Sequence, residues 1–502
     1  MGVVGDIHYT TYYAEGVVVG LSKSRIIYHR QCPKRLWLYT YHKELAEDTF
    51  ASSAAMSAGT DAGVLACDMF PKGQLIEEEN LSDALARTAE AMKDPEQAIF
   101  EATFQAGGVL VKVDILAPSD GGYRLIEVKS SGEVKDYQVE DASIQAWVLA
   151  QAAVRLSSVE IAHINKAFVY PGDGDYKGLF TFADITTEAK ARQADIPVWI
   201  DDALQTVGGA EPQDEPGEQC HYPFDCPFHK HCFPAYYDTS LFLPEILPRD
   251  RNGAAAAMLR KKGYTDLRDV PPGLLDNANH ERVRRVTASG KTELDPTAAA
   301  IMKGWGYPRY YLDFETIFPA VPVFAGTRPF QQVPFQWSCH IEKADGSMTH
   351  KEFLADGKGD PRREFMETLL EAVGASGPIV VYNAGFENTR LAELAREFPE
   401  RAAAISAVIS RVVDLLPVTR NHYYHPAMRG SWSIKAVLPT IAPDLDYSDL
   451  SVSDGGMAGA AFLEVIRENT AEERRKDLRE GLLKYCERDT LAMVRVAQMM
   501  AP

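Results

Sequence analysis

The octapeptide YYLDFETI, residues 310–317, sets Asp313 and Glu315 one residue apart. In an extended strand that spacing sends both carboxylates to one face and Phe314 to the other. Like charges held side by side repel unless a cation lies between them. Two further acids stand at suggestive places. Glu387, in VVYNAGFENTRL, falls in the first helical turn after a strand, and YCERD spaces Tyr485 and Asp489 four apart on one helical face. Acids from one strand and two helices can hold two metal ions about 4 Å apart, which clamp the attacking and leaving oxygens of a phosphodiester. Singly, each acid also has a plainer reading: Glu387 as helix-dipole compensation and Asp489 as one charge of a mixed-charge helix.

A second set lies upstream. Asp114 ends the run GVLVKVDILA, and Glu127 and Lys129 share a face of the next strand, YRLIEVKS. The intervening PSDGG is a hairpin signal that brings Asp114 opposite that pair. Two carboxylates and an ammonium in one cleft suit a magnesium site that activates water against phosphate. A surface hairpin with ordinary Glu–Lys pairing fits the same spacing. Glu101 in FEATF precedes the first of these strands, and Gln145 in DASIQAWVLA lies on the helix that follows them.

Three cysteines, Cys220, Cys226 and Cys232, occur within CHYPFDCPFHKHC, and Cys32 lies far upstream in RQCPKRLWLY. Thiols with aromatics and prolines between them point to a metal centre, with zinc open as one choice because His221, His229 and His231 are adjacent. Cys67, Cys339 and Cys486 sit in apolar or helical surroundings and read as core residues.

The elements that must position these groups follow from periodicity. Strand–hairpin–helix–strand order over 100–170 gives one α/β core, and strands and helices from Tyr307 onward give another. Residues 241–306 read as a helical connector. The expected organisation is therefore 1–240, 241–306 and 307–502. The segment LSKSRIIYHRQCPKRLWLYTYH, residues 21–42, is basic and aromatic. Its Lys34 and Arg35, with Lys23, Arg25 and Arg30, form the best local footprint for a phosphate backbone, although Leu36, Trp37 and Tyr39 equally suit packing. In GSWSIKAVLP, Lys435 and Ser433 suit either phosphate contact or helix capping. The helix over 473–489, with Arg474, Arg475, Arg479 and Lys484, reads as a solvated face.

A chain of 502 residues is too long for one core. Its net charge of −19 excludes a uniformly basic nucleic-acid-binding surface, though not a local basic channel or a bound divalent ion. Seven cysteines do not read as a disulfide framework. MGVVGDIHYT lacks the basic-then-apolar order of a leader, and runs such as PIVVY are too short to cross a bilayer. A reducing cytoplasm and no membrane partner are the expectations.

VKVDILAPSDGGYRLIEVKS resembles the core of PD-(D/E)xK nucleases in their RecB/Cas4-like branch. The resemblance implies metal ligation by Asp114 and Glu127, an additional ligand in Glu101, a catalytic role for Lys129, and a place along the site for Gln145. One distant cysteine followed by three clustered ones resembles the arrangement in Cas4-like and AddB-like nucleases. It implies a 4Fe–4S cluster on Cys32, Cys220, Cys226 and Cys232. LDFET, YNAGFE and YCERD resemble the three motifs of DnaQ-like (DEDD) exonucleases of the ribonuclease H-like superfamily. That likeness implies Mg²⁺ or Mn²⁺ on Asp313, Glu315, Glu387 and Asp489, with Tyr485 positioning water. Tyr382 stands before Asn383 where histidine is frequent, and Glu387 replaces the usual aspartate. Together the parts resemble DUF2779-type proteins. The expectation is an α/β nuclease acting on DNA, single-stranded or end-accessible, with 3′→5′ polarity, in repair or anti-phage defence. An RNA-processing exonuclease and a non-catalytic nucleic-acid scaffold are the alternatives.

Overall fold

The computed structural model describes residues 13–14, 17–18, 20–47, 50–250, 253–445 and 447–501. The amino-terminal stretch read above for a leader lies outside them. The chain forms two compact units, Met1–Pro234 with Pro319–Phe330, and Ala235–Phe318 with Gln331–Pro502. Both are α/β, with mixed sheets and many helices. Among the described residues, no helix is long and apolar enough to cross a membrane.

In the first unit, Ser22 caps helix α1 (Lys23–Gln31), and Pro33 opens helix α2 (Pro33–Tyr41). Strands β1 (Ile99–Ala106), β2 (Val109–Ser119), β3 (Gly122–Lys129), β4 (Leu156–Ile164) and β5 (Phe180–Asp184) are successive neighbours in a seven-stranded sheet. The β1–β2 hairpin turns on Gly107 and Gly108, both at positive φ. Helix α3 (Asp136–Gln151) links the parallel pair β3 and β4.

Strict alternation fails at one place in this sheet. Val109, Val111 and Val113 enter the larger core, as Leu116 does, whereas Ile115 and Ala117 enter a smaller core with Phe100 and Ile126. The face therefore switches at Asp114. It switches on β1 as well, because Ile99 and Ala102 share the larger core. Between them stands Glu101 at φ 53, in the left-handed region, and the regular pairing skips from Phe100–Ile115 to Ala102–Val113. The register is unchanged across this unpaired position, and the left-handed backbone at Glu101 marks where both strands change face.

The first unit has a further packing group, in which Ala62, Ile164, Phe168, Tyr170 and Leu179 are joined by Ala320. Tyr170 N–H donates to Thr327 O (3.0 Å), and Gly326 N–H to Tyr170 O (2.8 Å).

In the second unit, β6 (Arg309–Ile317), β7 (Val333–Glu342), β8 (Met348–Leu354), β9 (Ile379–Val381) and β10 (Val412–Asp414) form a sheet in the order β8-β7-β6-β9-β10. β7 is antiparallel to both β6 and β8, and β9 and β10 run parallel to β6. Every residue of β7 is buried, as a strand covered on both faces requires. Helices α4 (Arg362–Ala372) and α5 (Ala384–Glu397) cover one face, where Tyr310, Leu312 and Phe314 point. Helix α6 (Gly455–Ile466) packs on β6, and helix α7 (Glu472–Met500) packs on β6 and β7. The core on the α7 side takes Tyr311 and Val380 from the sheet, Met493–Met500 from α7, and Ile246, Leu259, Leu267, Val283, Val286 and Met302 from residues 241–306.

Gly430 lies in this second unit at φ 77, and a β-carbon there would run into the carbonyl oxygen of Ile246. Gly430→Ala combines backbone strain with a clash against main chain. It is expected to destabilise the chain by roughly 2–4 kcal/mol, read as a lower urea midpoint with an unchanged slope.

Candidate metal centre

Alternation along β6 puts Tyr311, Asp313 and Glu315 on the face toward α7, which carries Tyr485, Cys486 and Asp489 near its middle. The result is a compact donor set. Ligand atoms of Asp313, Glu315 and Cys486 lie within 4.8 Å of one another, the one such group of three among the described residues. Cys486 is fully buried, with Sγ 3.9 Å from Asp313 Oδ2. Asp489 accepts a 2.5 Å hydrogen bond from the Tyr447 hydroxyl. Lys435 donates to Ser453 O (2.6 Å), and its ammonium lies 5.0 Å from the centre of the Tyr485 ring.

These acids are close together, with Glu315 and Asp489 buried and Asp313 half-buried. Burial first, then the charge of Asp489, holds the Asp313 and Glu315 carboxyls far above the usual range. Glu315 and Glu387 also raise Asp313, and Lys435 partly relieves Glu315. Burial raises Asp489 too, against the Tyr447 hydrogen bond. Asp454 caps α6, and the first residue of that helix, Gly455, approaches Glu315 Oε2. The charge of Asp454 adds to the pressure that keeps Glu315 protonated.

Glu387 reaches the centre from the first turn of α5 and is 2% exposed. Its Oε2 has no hydrogen-bond partner among the described residues. Burial pushes its carboxyl up to about 8. The turn before it is fixed by Asp414, which accepts from the N–H groups of Asn383, Ala384 and Leu416, each at 3.0 Å. Asn383 is thereby held at φ 93.

In the first unit, Asp114 and Glu127 fall opposite one another, and Asp114 Oδ2 accepts from Val128 N–H (2.7 Å). Lys129 bridges Glu127 (2.6 Å) and Asp141 (2.9 Å). Lys23 from α1 donates to both oxygens of Glu127 (3.0 and 3.2 Å) and lies 3.4 Å from Asp141. Gln145 donates to Glu127 at 2.5 Å. Burial, with Asp114 and Asp141 nearby, pushes Glu127 up to about 7, whereas the two ammonium groups hold Asp141 below the carboxylate range. Glu101 is close enough to raise Asp114 and the Cys67 thiol. Lys23 and Asp141 are the residues that motif reading misses here. The i, i+4 spacing of Asp141 and Gln145 on α3 was the available signal for Asp141. Cys486 was missed in the second unit, though it lies in the same helical turn as Tyr485.

Cys32, Cys220, Cys226 and Cys232 line one small cavity with Arg35, Phe228 and His229. Burial and, through their mutual proximity, charge repulsion raise the Cys226 thiol. Arg35 is buried, with its guanidinium 4.4 Å from the centre of the Tyr28 ring and donating to Gln31. Lys34 pairs with Glu211 (3.0 Å) and Arg30 with Glu140 (2.9 Å). The basic segment is thus largely paired within its own unit. On α7, Arg474 pairs with Glu464 and Lys484 with Glu480.

Residues 310–433 match the family model described as Domain of unknown function (DUF2779). That stretch holds Asp313, Glu315, Glu387 and Asp414 and ends before Tyr485 and Asp489. The chain is 29% identical over 215 residues to "Uncharacterized protein UU173" of Ureaplasma parvum, covering 38% of this chain and 30% of that protein. It is 25% identical over 211 residues to "Uncharacterized protein MG366" of Mycoplasma genitalium, and 28% over 211 residues to the homolog in Mycoplasma pneumoniae. Each match covers 38% of this chain and 31% of the relative. The match thus spans under a third of the length of these relatives.

The raised Glu387 carboxyl gives a pH signature in protein stripped of metal. The folded state keeps the proton up to about pH 8, whereas the unfolded chain loses it near 4.5. The contribution to stability is therefore full below pH 4.5 and lost as pH rises toward 8. Glu387→Gln is expected to stabilise the stripped protein at pH 8.5 by roughly 3–5 kcal/mol and to leave it nearly unchanged at pH 4.5. Urea unfolding in chelator at both pH values measures this.

Proposed function

We propose that this chain is a metal-dependent phosphodiester hydrolase of nucleic acid, DNA in the first instance. The observation that carries the reading is the cluster of Asp313 and Glu315 with Cys486, to which Asp489 and Glu387 stand near enough to raise the Asp313 carboxyl. Carboxylates with strongly raised proton affinity are poised to exchange protons for a divalent cation. The strand order of the second unit, three antiparallel strands followed by two parallel ones, supports a ribonuclease H-like assignment. The motif set supports the DnaQ-like one.

The residues fit the group they would hold. Asp313 and Glu315 offer hard oxygen donors, which suit Mg²⁺ or Mn²⁺, while a softer ion would recruit the Cys486 thiol as well. Bound metal would polarise the scissile phosphate and lower the pKa of attacking water. The protein's own part is positional. Asp313 and Glu315 are fixed by the sheet, Asp489 is oriented by Tyr447, and Glu387 is oriented by the Asp414-braced turn. The buried Tyr485 hydroxyl stays protonated, raised by burial and then by Asp489, and is available to orient water. Lys435 offsets charge that accumulates on the phosphate.

The first unit would carry a second hydrolytic site of PD-(D/E)xK type. Asp114, Glu127 and Glu101 are its candidate ligands and Lys129 its positioning cation. Lys23 and Lys129 neutralise the acids, so metal entry there must displace at least one ammonium.

The four thiols that line the cysteine cavity would hold an iron–sulfur cluster, as the likeness to Cas4-like nucleases implies, rather than a single zinc ion. Four thiolates around one zinc lie about 3.8 Å apart, yet no three of these donors gather within 4.8 Å among the described residues. An iron–sulfur cluster takes the all-thiolate ligation that four cysteines offer. It would tie the start of α2 to the 220–232 loop.

Anaerobically purified protein is expected to be brown, with about four irons per chain, and Cys226→Ala to lose that colour. Colourless, iron-free protein would refute the cluster. End-labelled DNA and RNA oligonucleotides, incubated side by side with Mn²⁺, test hydrolysis. Asp313→Ala is expected to lower the second-unit activity at least about 100-fold. Lys129→Ala should separate any first-unit activity. Trace cleavage unchanged in both variants would refute the hydrolase.

A further inference from the structure

The second unit contains an open cleft of about 640 Å³ that the carboxylate centre does not occupy. One wall comes from Tyr236 and residues 245–249, and the other from Tyr382, Asn383, Leu416, Arg420 and residues 429–434. Its size is that of a small-ligand site. Its charge is unusual for a chain of net −19. Arg249, Arg420 and Arg429 line it, and the one lining acid, Glu245, is already held by Arg260 in a two-point ion pair at 2.9 Å. Arg429 is committed to the backbone, donating to the carbonyls of Tyr236, Asp238 and Leu241. Arg249 and Arg420 have no ion-pair partner among the described residues. Arg249 is exposed, and Arg420 half-exposed.

The backbone around the cleft is strained in an unusual concentration. Among the described residues, seven other than glycine have positive φ, and three of them line this cleft: Arg249, Asn383 and Arg429. Such conformations persist only where surrounding structure over-determines them, and they gather at binding sites. The cleft also adjoins the carboxylate centre along the chain. Asn383 leads into α5 and Glu387, and Ser433 and Ile434 lead into Lys435.

We infer that this cleft binds single-stranded nucleic acid beside the bond that is cut, with Arg249 and Arg420 contacting backbone phosphates. The inference rests on the hydrolase reading above and adds the surface that delivers substrate to it. Guanidinium groups suit phosphate through paired, planar hydrogen bonding. Tyr382, Leu416 and Ile434 supply an apolar floor for a base or sugar. Residues 245–249 thereby act as one wall of the substrate path.

The test uses the full chain in chelator, so that nothing is cut, with a fluorescent single-stranded oligodeoxynucleotide followed by anisotropy across a salt series. Arg249→Ala with Arg420→Ala is expected to weaken binding at least about tenfold. The slope of log affinity against log salt should fall by about 1.4, the value for two lost contacts to a single strand. Arg249→Glu alone, at an exposed position, should also weaken binding and keeps the test open if the double variant does not fold. If the native chain cuts and binds, and these variants bind with unchanged affinity and slope, the cleft assignment is overturned and the hydrolase stands. If the native chain neither binds nor cuts with Mn²⁺ present, both are overturned.

Discussion

Carboxylates removed from water and set beside one another raise each other's energy, and the second unit is built around that cost. β6 offers Asp313 and Glu315 on one face because its other face is filled by Tyr310, Leu312 and Phe314. α7 brings Asp489 to them because its neighbouring residues pack on β6 and β7. Nothing in this arrangement supplies enough positive charge. Lys435 helps and Tyr447 binds one oxygen, but Asp454 at the start of α6 adds a further negative charge, and Asp313 and Glu315 hold their protons far beyond their ordinary range. The fold supplies rigidity and leaves the charge balance to be completed from outside, as expected of a site preorganised for a cation.

The first unit meets the same problem by internal means. Lys23 and Lys129 lie between Glu127 and Asp141, so the acids are compensated by the chain itself. The compensation is uneven. Asp141 stays ionised readily, while Glu127, more deeply enclosed and flanked by two other acids, does not. A buried pair of this kind is costly to break from one side only, because the surviving charge is stranded. The two acidic sites therefore differ in character, one with its carboxylates largely uncompensated and the other already flanked by two ammonium groups.

Much of the second unit was legible in the sequence because period two along Tyr310–Ile317 and the four-residue spacing of Tyr485 and Asp489 are local rules. Glu387 was legible from its place just after a strand. The first unit obeys the local rule less well. Asp114 sits where the sheet changes face, and the cause is the left-handed backbone at Glu101, which no spacing announces. Lys23 read as a phosphate contact because its neighbours are basic, yet its partners Glu127 and Asp141 lie more than a hundred residues away. Arg35 was read as part of the same footprint but is enclosed beside the cysteine cavity. Cys486 read as core and is core, while also facing Asp313. In each case the sequence supplies the residue type, and a distant strand or helix supplies its surroundings.

The excursion of residues 319–330 into the first unit has a consequence for how the chain acquires its structure. Ala320 and the backbone of Gly326 and Thr327 complete packing around Phe168 and Tyr170. A nascent chain that has emerged only as far as residue 234 thus lacks part of the interior of its own first unit. The packing of the first unit is completed by residues that follow β6 in the chain. The covering of Phe168 and Tyr170 is therefore translated only after β6, the strand that bears Asp313 and Glu315.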